Sequence, residues 1–277
     1  MRRFRYVVAD VFTDEPLAGN QLAVFTDARD LSDHDMQTLA REMNLSETVF
    51  VLPPSAGDAD VCIRIFTPAL ELPFAGHPVL GTAFVLGGPL SKIEIRLETG
   101  AGVVPVTLER DGPRIVFGRM EQPRPNWTPV DDPAPLYAAL GVAGSELPVE
   151  RCDLGPGHVY VALGSPEQVQ ELSPDQAALA AATADGANCF AHVDGNRWKT
   201  RMFAPNHGVA EDPATGSAAG PLAVHLARHG RIAWGEQIEI SQGAEINRPS
   251  TLYATAWEDR VEVGGSAVVV ARGEFGF

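Results

Sequence analysis

Alternation of apolar and polar positions dominates this chain and predicts more strands than helices. Arg5–Phe12 and Val61–Phe66 are typical of strands, because they are rich in β-branched and aromatic residues and end at polar turns. Ser32 followed by acidic residues predicts a helix start, and the apolar spacing from Met36 to Met43 predicts its buried face. Strands outnumber helices in both halves of the chain. We therefore predict an α+β fold of two pseudo-symmetric lobes, each a mostly antiparallel sheet wrapped around one central helix.

Two polar turns, each followed by an apolar run of small residues, predict the central helices. The first turn is Pro73–Pro78, and the second is Glu211–Pro221, which leads into Leu222–Gly230. We expect Ser217 to cap the second helix and Gly230 to end it. The first turn of such a helix offers unpaired backbone N–H groups and the positive end of a dipole, so each turn is a candidate anion site.

The two turns belong to a longer internal repeat. Arg64–Pro68 (RIFTP) matches Arg201–Pro205 (RMFAP) 137 positions later, and Gly76-His77 matches Gly216-Ser217 140 positions later. A repeat of this length indicates two related lobes. We expect the two repeated arginines to support the lobes structurally rather than to contact a substrate.

A proline-rich segment, Gln122–Pro129, is the best candidate for a linker, with three prolines in eight residues. We therefore predict an N-terminal lobe over residues 1–122 and a C-terminal lobe over residues 123–277. The last strand is free to return to the first lobe.

Composition narrows the class of function. The chain has 36 Asp and Glu against 21 Lys and Arg, a net charge of −15, so we expect neither nucleic acid nor an anionic membrane as a partner. Three cysteines without a C-x-x-C spacing argue against a disulfide framework or a zinc site and fit a reducing cytosol. The apolar run near the start is too short for a signal peptide, and no stretch approaches the ~20 apolar residues that cross a bilayer. We expect a cytoplasmic protein.

Four side chains near the turns are candidates for chemistry: Glu47, His77, Asp212 and Ser217. If the lobes face each other, both helix starts point into one cleft that holds a substrate. The sequence has no phosphate-binding loop, no dinucleotide fingerprint and no H-E-x-x-H or paired-cysteine metal pattern. What remains is a proton-transfer site without cofactor or metal, which needs only a carboxylate or imidazole held near a C–H bond.

Four motifs stand out along the chain: N-L-S-E-T at 44–48, R-I-F-T-P at 64–68, E-L-P-F-A-G-H-P at 71–78 and E-D-P-A-T-G-S-A-A-G at 211–220. They resemble the PhzF-like phenazine-biosynthesis family. The resemblance runs the whole length of the chain, and the G-H-P and A-T-G-S-A-A-G turns are specific to that family. It implies a diaminopimelate-epimerase-like fold, a cleft between two lobes, no cofactor and a homodimer.

The resemblance also implies an activity. The family's isomerase moves a hydrogen around the ring of a small carboxylic acid, trans-2,3-dihydro-3-hydroxyanthranilate. Carried over by position, Glu47 is the acid/base that takes the C3 proton and returns it to C1, and His77 and Asp212 hold polar groups of the substrate. The remaining implied contacts are a pocket-lining Asn20 and the backbone N–H groups that bind the substrate carboxylate, at Gly76, Gly216 and Ser217.

Two other interpretations stay open. An epimerase or racemase of another small acid would use the same fold, but its cysteine-dependent members carry a thiol at each helix turn, where this chain has Ala75 and Thr215. A non-catalytic ligand-binding member of the family would have no need for Glu47, His77 and Asp212 beside two anion sites.

Overall fold

The computed structural model describes residues 2–154 and 157–277, which form two compact units. The first unit comprises Met1–Glu121 and Gly264–Phe277, and the second comprises Gln122–Val263. We call them the N-terminal and C-terminal lobes. The division into folding domains at 122/123 stays a prediction.

Strands outnumber helices in both lobes. The strands are β1 (Arg3–Val11), β2 (Asn20–Phe25), β3 (Glu47–Leu52), β4 (Val61–Phe66), β5 (Glu71–Leu72), β6 (Glu94–Thr99), β7 (Gly102–Asp111), β8 (Arg114–Gln122), β9 (Asn126–Pro129), β10 (Glu150–Asp153), β11 (Gly157–Ala162), β12 (Gly186–Asp194), β13 (Arg197–Ala204), β14 (Val209–Asp212), β15 (Gln237–Gln242), β16 (Ser250–Ala256), β17 (Val261–Gly265) and β18 (Ala267–Gly276). The helices are α1 (Asp33–Met43), α2 (Gly76–Leu90), α3 (Ala134–Leu140), α4 (Pro166–Gln170), α5 (Gln176–Ala182) and α6 (Gly216–Arg228), with 3-10 turns at Pro205–His207 and Ala244–Ile246.

The two lobes repeat one pattern of strand pairing. In the N-terminal lobe β2 pairs parallel with β3 and β4 parallel with β6, while β1/β2, β3/β4 and β6/β7 are antiparallel. In the C-terminal lobe β11 pairs parallel with β12 and β13 parallel with β15, while β10/β11, β12/β13 and β15/β16 are antiparallel. The predicted α+β fold of two pseudo-symmetric lobes is confirmed.

An arginine–glutamate ion pair occupies the same place in both lobes. Arg64 on β4 donates two hydrogen bonds to Glu71 on β5, at 2.7 and 2.6 Å. Arg201 on β13 donates two to Glu211 on β14, at 2.8 and 2.7 Å. A bidentate guanidinium–carboxylate pair fixes both the distance and the relative orientation of the two side chains. Each pair therefore holds a short strand against its longer neighbour. This is the structural support that we expected of the two arginines.

The central helices lie close to their sheets because their inward faces carry small residues. α2 packs against β1, β2, β6 and β7, and α6 packs against β15 and β16. A Cβ atom added at Gly81 would lie 2.6 Å from Val11, and one added at Gly220 would lie 2.2 Å from the Gln122 side chain. Such distances are far below van der Waals contact, so glycine is required at these two positions for the helices to pack closely.

Predictions about two helix starts have different outcomes. Ser32 caps α1, since its hydroxyl accepts the Asp35 N–H at 3.1 Å, as predicted. The prediction that Ser217 caps α6 is wrong: Thr215 is the N-cap, and Ser217 lies inside the first turn. The reason lies in the preceding turn, where Thr215 is bonded through its hydroxyl to Asp212 at 2.5 Å and fixes the point at which the chain enters the helix.

The predicted linker is wrong in part. Gln122 ends β8, and Asn126–Pro129 forms β9, which pairs antiparallel with β10. A strand that ends at Pro129 loses only one backbone N–H donor, which explains why a proline is tolerated there.

None of the described helices combines the length and apolar character needed to cross a bilayer.

Candidate active site

The predicted site residues of the N-terminal lobe come together at the start of α2. β2 begins at Asn20, and β3 begins at Glu47, which lies opposite Leu22 in the parallel pairing. His77, the second residue of α2, lies between them. Its Nε2 is 3.4 Å from Glu47 Oε2, and its Nδ1 is 3.3 Å from Asn20 Nδ2. Three separate segments of the chain therefore bring their polar side chains together in one cluster.

Burial determines whether the imidazole of His77 carries a charge. The side chains of His77 and Glu47 are 4% and 15% exposed. Burial lowers the pKa of His77 to about 3, and a backbone hydrogen bond with Gln21 acts weakly in the other direction. The imidazole is therefore neutral near pH 7, and Glu47 has a polar, uncharged neighbour instead of a cation.

The start of α2 is suited to an anion. Ala75 is its N-cap, with an extended backbone and no side-chain hydrogen bond to the helix, so His77 is not the cap. The N–H of Val79 is bonded to the Ala75 carbonyl. Helical geometry directs the N–H of Gly76 outward from the helix end, where it has no carbonyl of its own helix as a partner.

In the C-terminal lobe, Asp212 is part of a hydrogen-bonded turn before α6. Asp212 Oδ2 accepts a hydrogen bond from Thr215 Oγ1 at 2.5 Å. Gln242, from β15, donates through Nε2 to the Asp212 carbonyl at 2.8 Å and to Thr215 Oγ1 at 3.0 Å. Its Oε1 accepts from the Thr215 N–H at 3.3 Å and from Thr200 Oγ1 at 3.1 Å. One buried glutamine thus satisfies both ends of the turn and fixes the start of the helix.

Ser217 has a partner that sequence reasoning missed. His158, the second residue of β11, lies with its Nε2 3.0 Å from Ser217 Oγ. Burial lowers the pKa of His158 to about 3, so this imidazole is also neutral near pH 7. The internal repeat contained a signal for this contact. Adding 137 to the position of Gln21, or 138 to that of Asn20, gives position 158, at the start of β11.

The two polar groups follow the pseudo-symmetry with one exception. The second residue of the central helix contacts a side chain from the start of a strand in both lobes: His77 with Asn20, and Ser217 with His158. Glu47 at the start of β3 has no acidic counterpart, because β12 begins with Gly186-Ala187-Asn188. A carboxylate at this position is a property of the N-terminal lobe alone.

The predicted residues are therefore assembled within each lobe. Asn20, Glu47, Gly76 and His77 form one group, and the members of the other are Asp212, Gly216 and Ser217. The expectation that the two helix starts share a cleft stays a prediction.

Known proteins match this chain over almost its entire length. The model of the PhzC-PhzF family, phenazine biosynthesis-like proteins, matches residues 9–273. The chain belongs to this family. A relative from Pseudomonas aeruginosa named trans-2,3-dihydro-3-hydroxyanthranilate isomerase is 53% identical over 274 residues, covering 97% of this chain and 98% of the relative.

Solved structures of phenazine biosynthesis-like and related proteins share the fold. A predicted epimerase from P. aeruginosa is 33% identical, with a TM-score of 0.86, and covers 98% of this chain and 99% of its own. A probable proline racemase from Agrobacterium radiobacter, with bound carbonate, is 14% identical, with a TM-score of 0.70, over 99% of this chain and 93% of its own. At that identity the likeness concerns the fold alone. The epimerase-like fold implied by the sequence is confirmed.

Proposed function

We propose that this protein is a trans-2,3-dihydro-3-hydroxyanthranilate isomerase of phenazine biosynthesis. The observation that carries the proposal is the mostly buried carboxylate of Glu47 beside a neutral imidazole at a helix start. The 53% identity to a relative of that name supports the choice of substrate. The substrate is a small molecule whose own carboxylate suits the anion-binding ends of the two central helices.

In the proposed reaction Glu47 accepts the proton from C3 and returns it to C1. The electrons of the C3–H bond move through the ring diene, so the double bonds C4=C5 and C6=C1 become C3=C4 and C5=C6. The product is an enol that becomes a ketone by tautomerisation. Protons and electrons balance within substrate and carboxylate, and Glu47 ends in its starting state. Glutamate suits this task because one flexible side chain can reach two ring carbons on the same face.

The other predicted residues hold the ring. Removal of the C3 proton pushes negative charge toward C1 and its carboxylate. The N–H groups at Gly76, Gly216 and Ser217 are suited to stabilise that charge as it develops. His77 and Asp212 would hold the amino and hydroxyl groups, and Asn20 would line the pocket.

An epimerase or racemase mechanism is less well supported. Inversion at one carbon with two thiols needs a reactive group at each helix start. Ala75 carries none, and the Thr215 hydroxyl is committed to Asp212 at 2.5 Å. The absence of an acid where β12 begins also favours a single-carboxylate mechanism.

The proposal includes a homodimer in the cytoplasm, with neither nucleic acid nor membrane as partner. The dimer is what the sequence resemblance to the family implies. Free thiols at Cys62, Cys152 and Cys189 fit a reducing compartment, and a net charge of −15 disfavours polyanionic partners.

The test is turnover of substrate that carries deuterium at C3, in ordinary water. Loss of diene absorbance would report the reaction, and NMR would locate the label. We expect the substrate to be consumed and part of the deuterium to appear at C1, because one carboxylate carries it. If the compound is untouched, the substrate assignment is wrong. If it reacts and no label reaches C1, the carboxyl proton exchanges with water within each turnover, and the activity of Glu47→Gln then decides whether this carboxylate carries the proton.

A further inference from the structure

A second polar cluster lies at the other end of α6, within the C-terminal lobe. Glu150 on β10 accepts hydrogen bonds through Oε2 from His225 Nδ1 at 3.0 Å and from His229 Nε2 at 2.9 Å. At 1.5 Å per residue, His229 lies roughly 18 Å along the helix from Ser217. The cluster is therefore remote from the polar group at the start of this helix, and the proposed reaction does not use it.

We propose that Glu150, His225 and His229 form a binding site for a divalent metal ion of the zinc class. Among the described residues, each of these three side chains offers one ligand atom, and the three atoms all lie within 4.8 Å of one another. Tetrahedral zinc with ligands at about 2.0–2.1 Å has ligand atoms about 3.3 Å apart. The 2.9 and 3.0 Å separations at Glu150 Oε2 are already close to that value. Two imidazoles and a carboxylate, with a fourth position for water, are ligands that zinc accepts.

The spacing of the histidines favours the site. Residues four apart lie on one face of a helix, so His225 and His229 are presented side by side, with ring centroids 4.6 Å apart. His229 is the C-cap residue and is 22% exposed, whereas His225 is fully buried. A metal ion would therefore enter from the His229 side, where water can supply the fourth ligand.

Packing holds the buried imidazole in a ligand orientation. The His225 ring stacks on Tyr160 at 5.7 Å and contacts Trp127 at 5.4 Å and Phe190 at 5.8 Å. Its Nε2 is buried without a hydrogen-bond partner among the described residues. A shift of the ring proton from Nδ1 to Nε2 therefore breaks no bond at Nε2 and frees the Nδ1 lone pair for a metal ion.

The carboxylate is oriented from its far side. Arg228 donates to Glu150 Oε1 at 3.0 Å and to Oε2 at 3.1 Å, which leaves a second lone pair of Oε2 directed at the histidines. Hydrogen bonds to ligating carboxylates are a regular feature of metal sites. The guanidinium charge opposes cation binding, so we expect the site to be weaker than a closed structural zinc site.

In the competing interpretation the three side chains bind no metal ion, and their hydrogen bonds and ion pairs only join β10 to α6. From the sequence we expected no metal site, because we looked for paired cysteines and for the H-E-x-x-H pattern. The pair His225-x-x-x-His229, with a glutamate 75 positions earlier, falls outside both patterns.

The experiment is a Zn²⁺ titration of the full-length protein, without a histidine tag, after EDTA treatment and dialysis. A competing chromogenic chelator gives the affinity and stoichiometry, and Co²⁺ reports four-coordinate geometry through intense visible bands. We expect one equivalent to bind. We expect His229→Asn to weaken binding by at least about tenfold, and His34→Asn, which removes an exposed histidine on α1, to leave it unchanged.

Glu150→Gln is the second variant, and circular dichroism of each variant separates loss of a ligand from loss of the fold. Failure of the wild-type protein to bind one equivalent saturably would overturn the proposal. So would equal affinities of the folded wild-type and His229→Asn proteins. Neither result depends on the isomerase assignment, because the readout is metal binding.

Discussion

Replacing Glu47 with glutamine tests the proposed chemistry with the smallest structural change. Glutamine keeps the shape and length of the side chain but cannot accept a proton. Glu47 is 15% exposed and lies 3.4 Å from an imidazole that is neutral near pH 7, so the substitution removes no ion pair with that ring. We expect the free energy of unfolding to change by less than about 1 kcal/mol.

The expected loss of activity is large. A positioned acid/base contributes about 10²–10⁴-fold to a rate. At about 1.4 kcal/mol for each factor of ten, this is about 3 to 5 kcal/mol of the activation barrier. In the proposed reaction Glu47 acts on the C3–H bond and not on the substrate carboxylate, so the loss should appear in kcat, with KM nearly unchanged.

The assay is the initial rate of diene disappearance over a range of substrate concentrations. Calorimetry supplies the affinity of the variant for unreacted substrate, and urea unfolding supplies its stability. Glu42→Gln is the matched control, because it removes one negative charge from an exposed position on α1. A Glu47→Gln enzyme with more than a tenth of the wild-type kcat would refute the proton-shuttle assignment.

Three further predictions concern stability. Glu211→Gln should cost about 3 kcal/mol, since it leaves an arginine that is only 8% exposed without its counter-ion, whereas the equivalent Glu71→Gln should cost less than about 1 kcal/mol, since Glu71 is 41% exposed. Thr215→Val removes the hydroxyl that joins the turn before α6 and should cost about 1–3 kcal/mol together with part of the activity. The neutral imidazoles of His77 and His158, whose pKa values burial lowers to about 3, should make unfolding easier in acid.

The sign of the pH effect follows from which state binds protons first. As the pH falls, an unfolded histidine is protonated near pH 6.5, and these two only near pH 3 when folded. The stability they contribute is complete above pH 6.5 and is lost as the pH falls toward 3, by up to about 1.4 kcal/mol per pH unit for each ring. Urea unfolding at pH 7, 6 and 5 measures the slope. His158→Asn should reduce it, and an unchanged slope would contradict the assignment of a buried neutral ring.

Each of the other two predictions has a control in the chain. For the ion pairs, urea unfolding of both variants gives the comparison, and equal losses would show that burial does not decide their contribution. For the turn, Thr107→Val makes the same substitution at an exposed position of β7. If Thr215→Val were as stable as Thr107→Val, the hydrogen bonds of Thr215 to Asp212 and Gln242 would not hold the turn.

The sequence was sufficient wherever a signal is local or repeated. Ser32 and Asp35 lie within one helical turn, so their capping interaction could be predicted from spacing alone. The match of Arg64–Pro68 to Arg201–Pro205 predicted two related lobes, because a repeated motif folds into a repeated unit. The choice of Glu47 came from the N-L-S-E-T motif, since a single glutamate has no periodic signal of its own.

Only the tertiary structure determined which distant side chains meet. Gln242 reaches Thr215 across 27 positions, and His158 reaches Ser217 across 59, and no local pattern links either pair. The bond from Thr215 to Asp212 also moved the start of α6 away from the predicted cap at Ser217. Strand register and burial set these distances, and both depend on how the whole sheet packs around its helix. Helix periodicity and the Ser32 cap depend on neighbours within a turn, which is why the sequence alone could supply them.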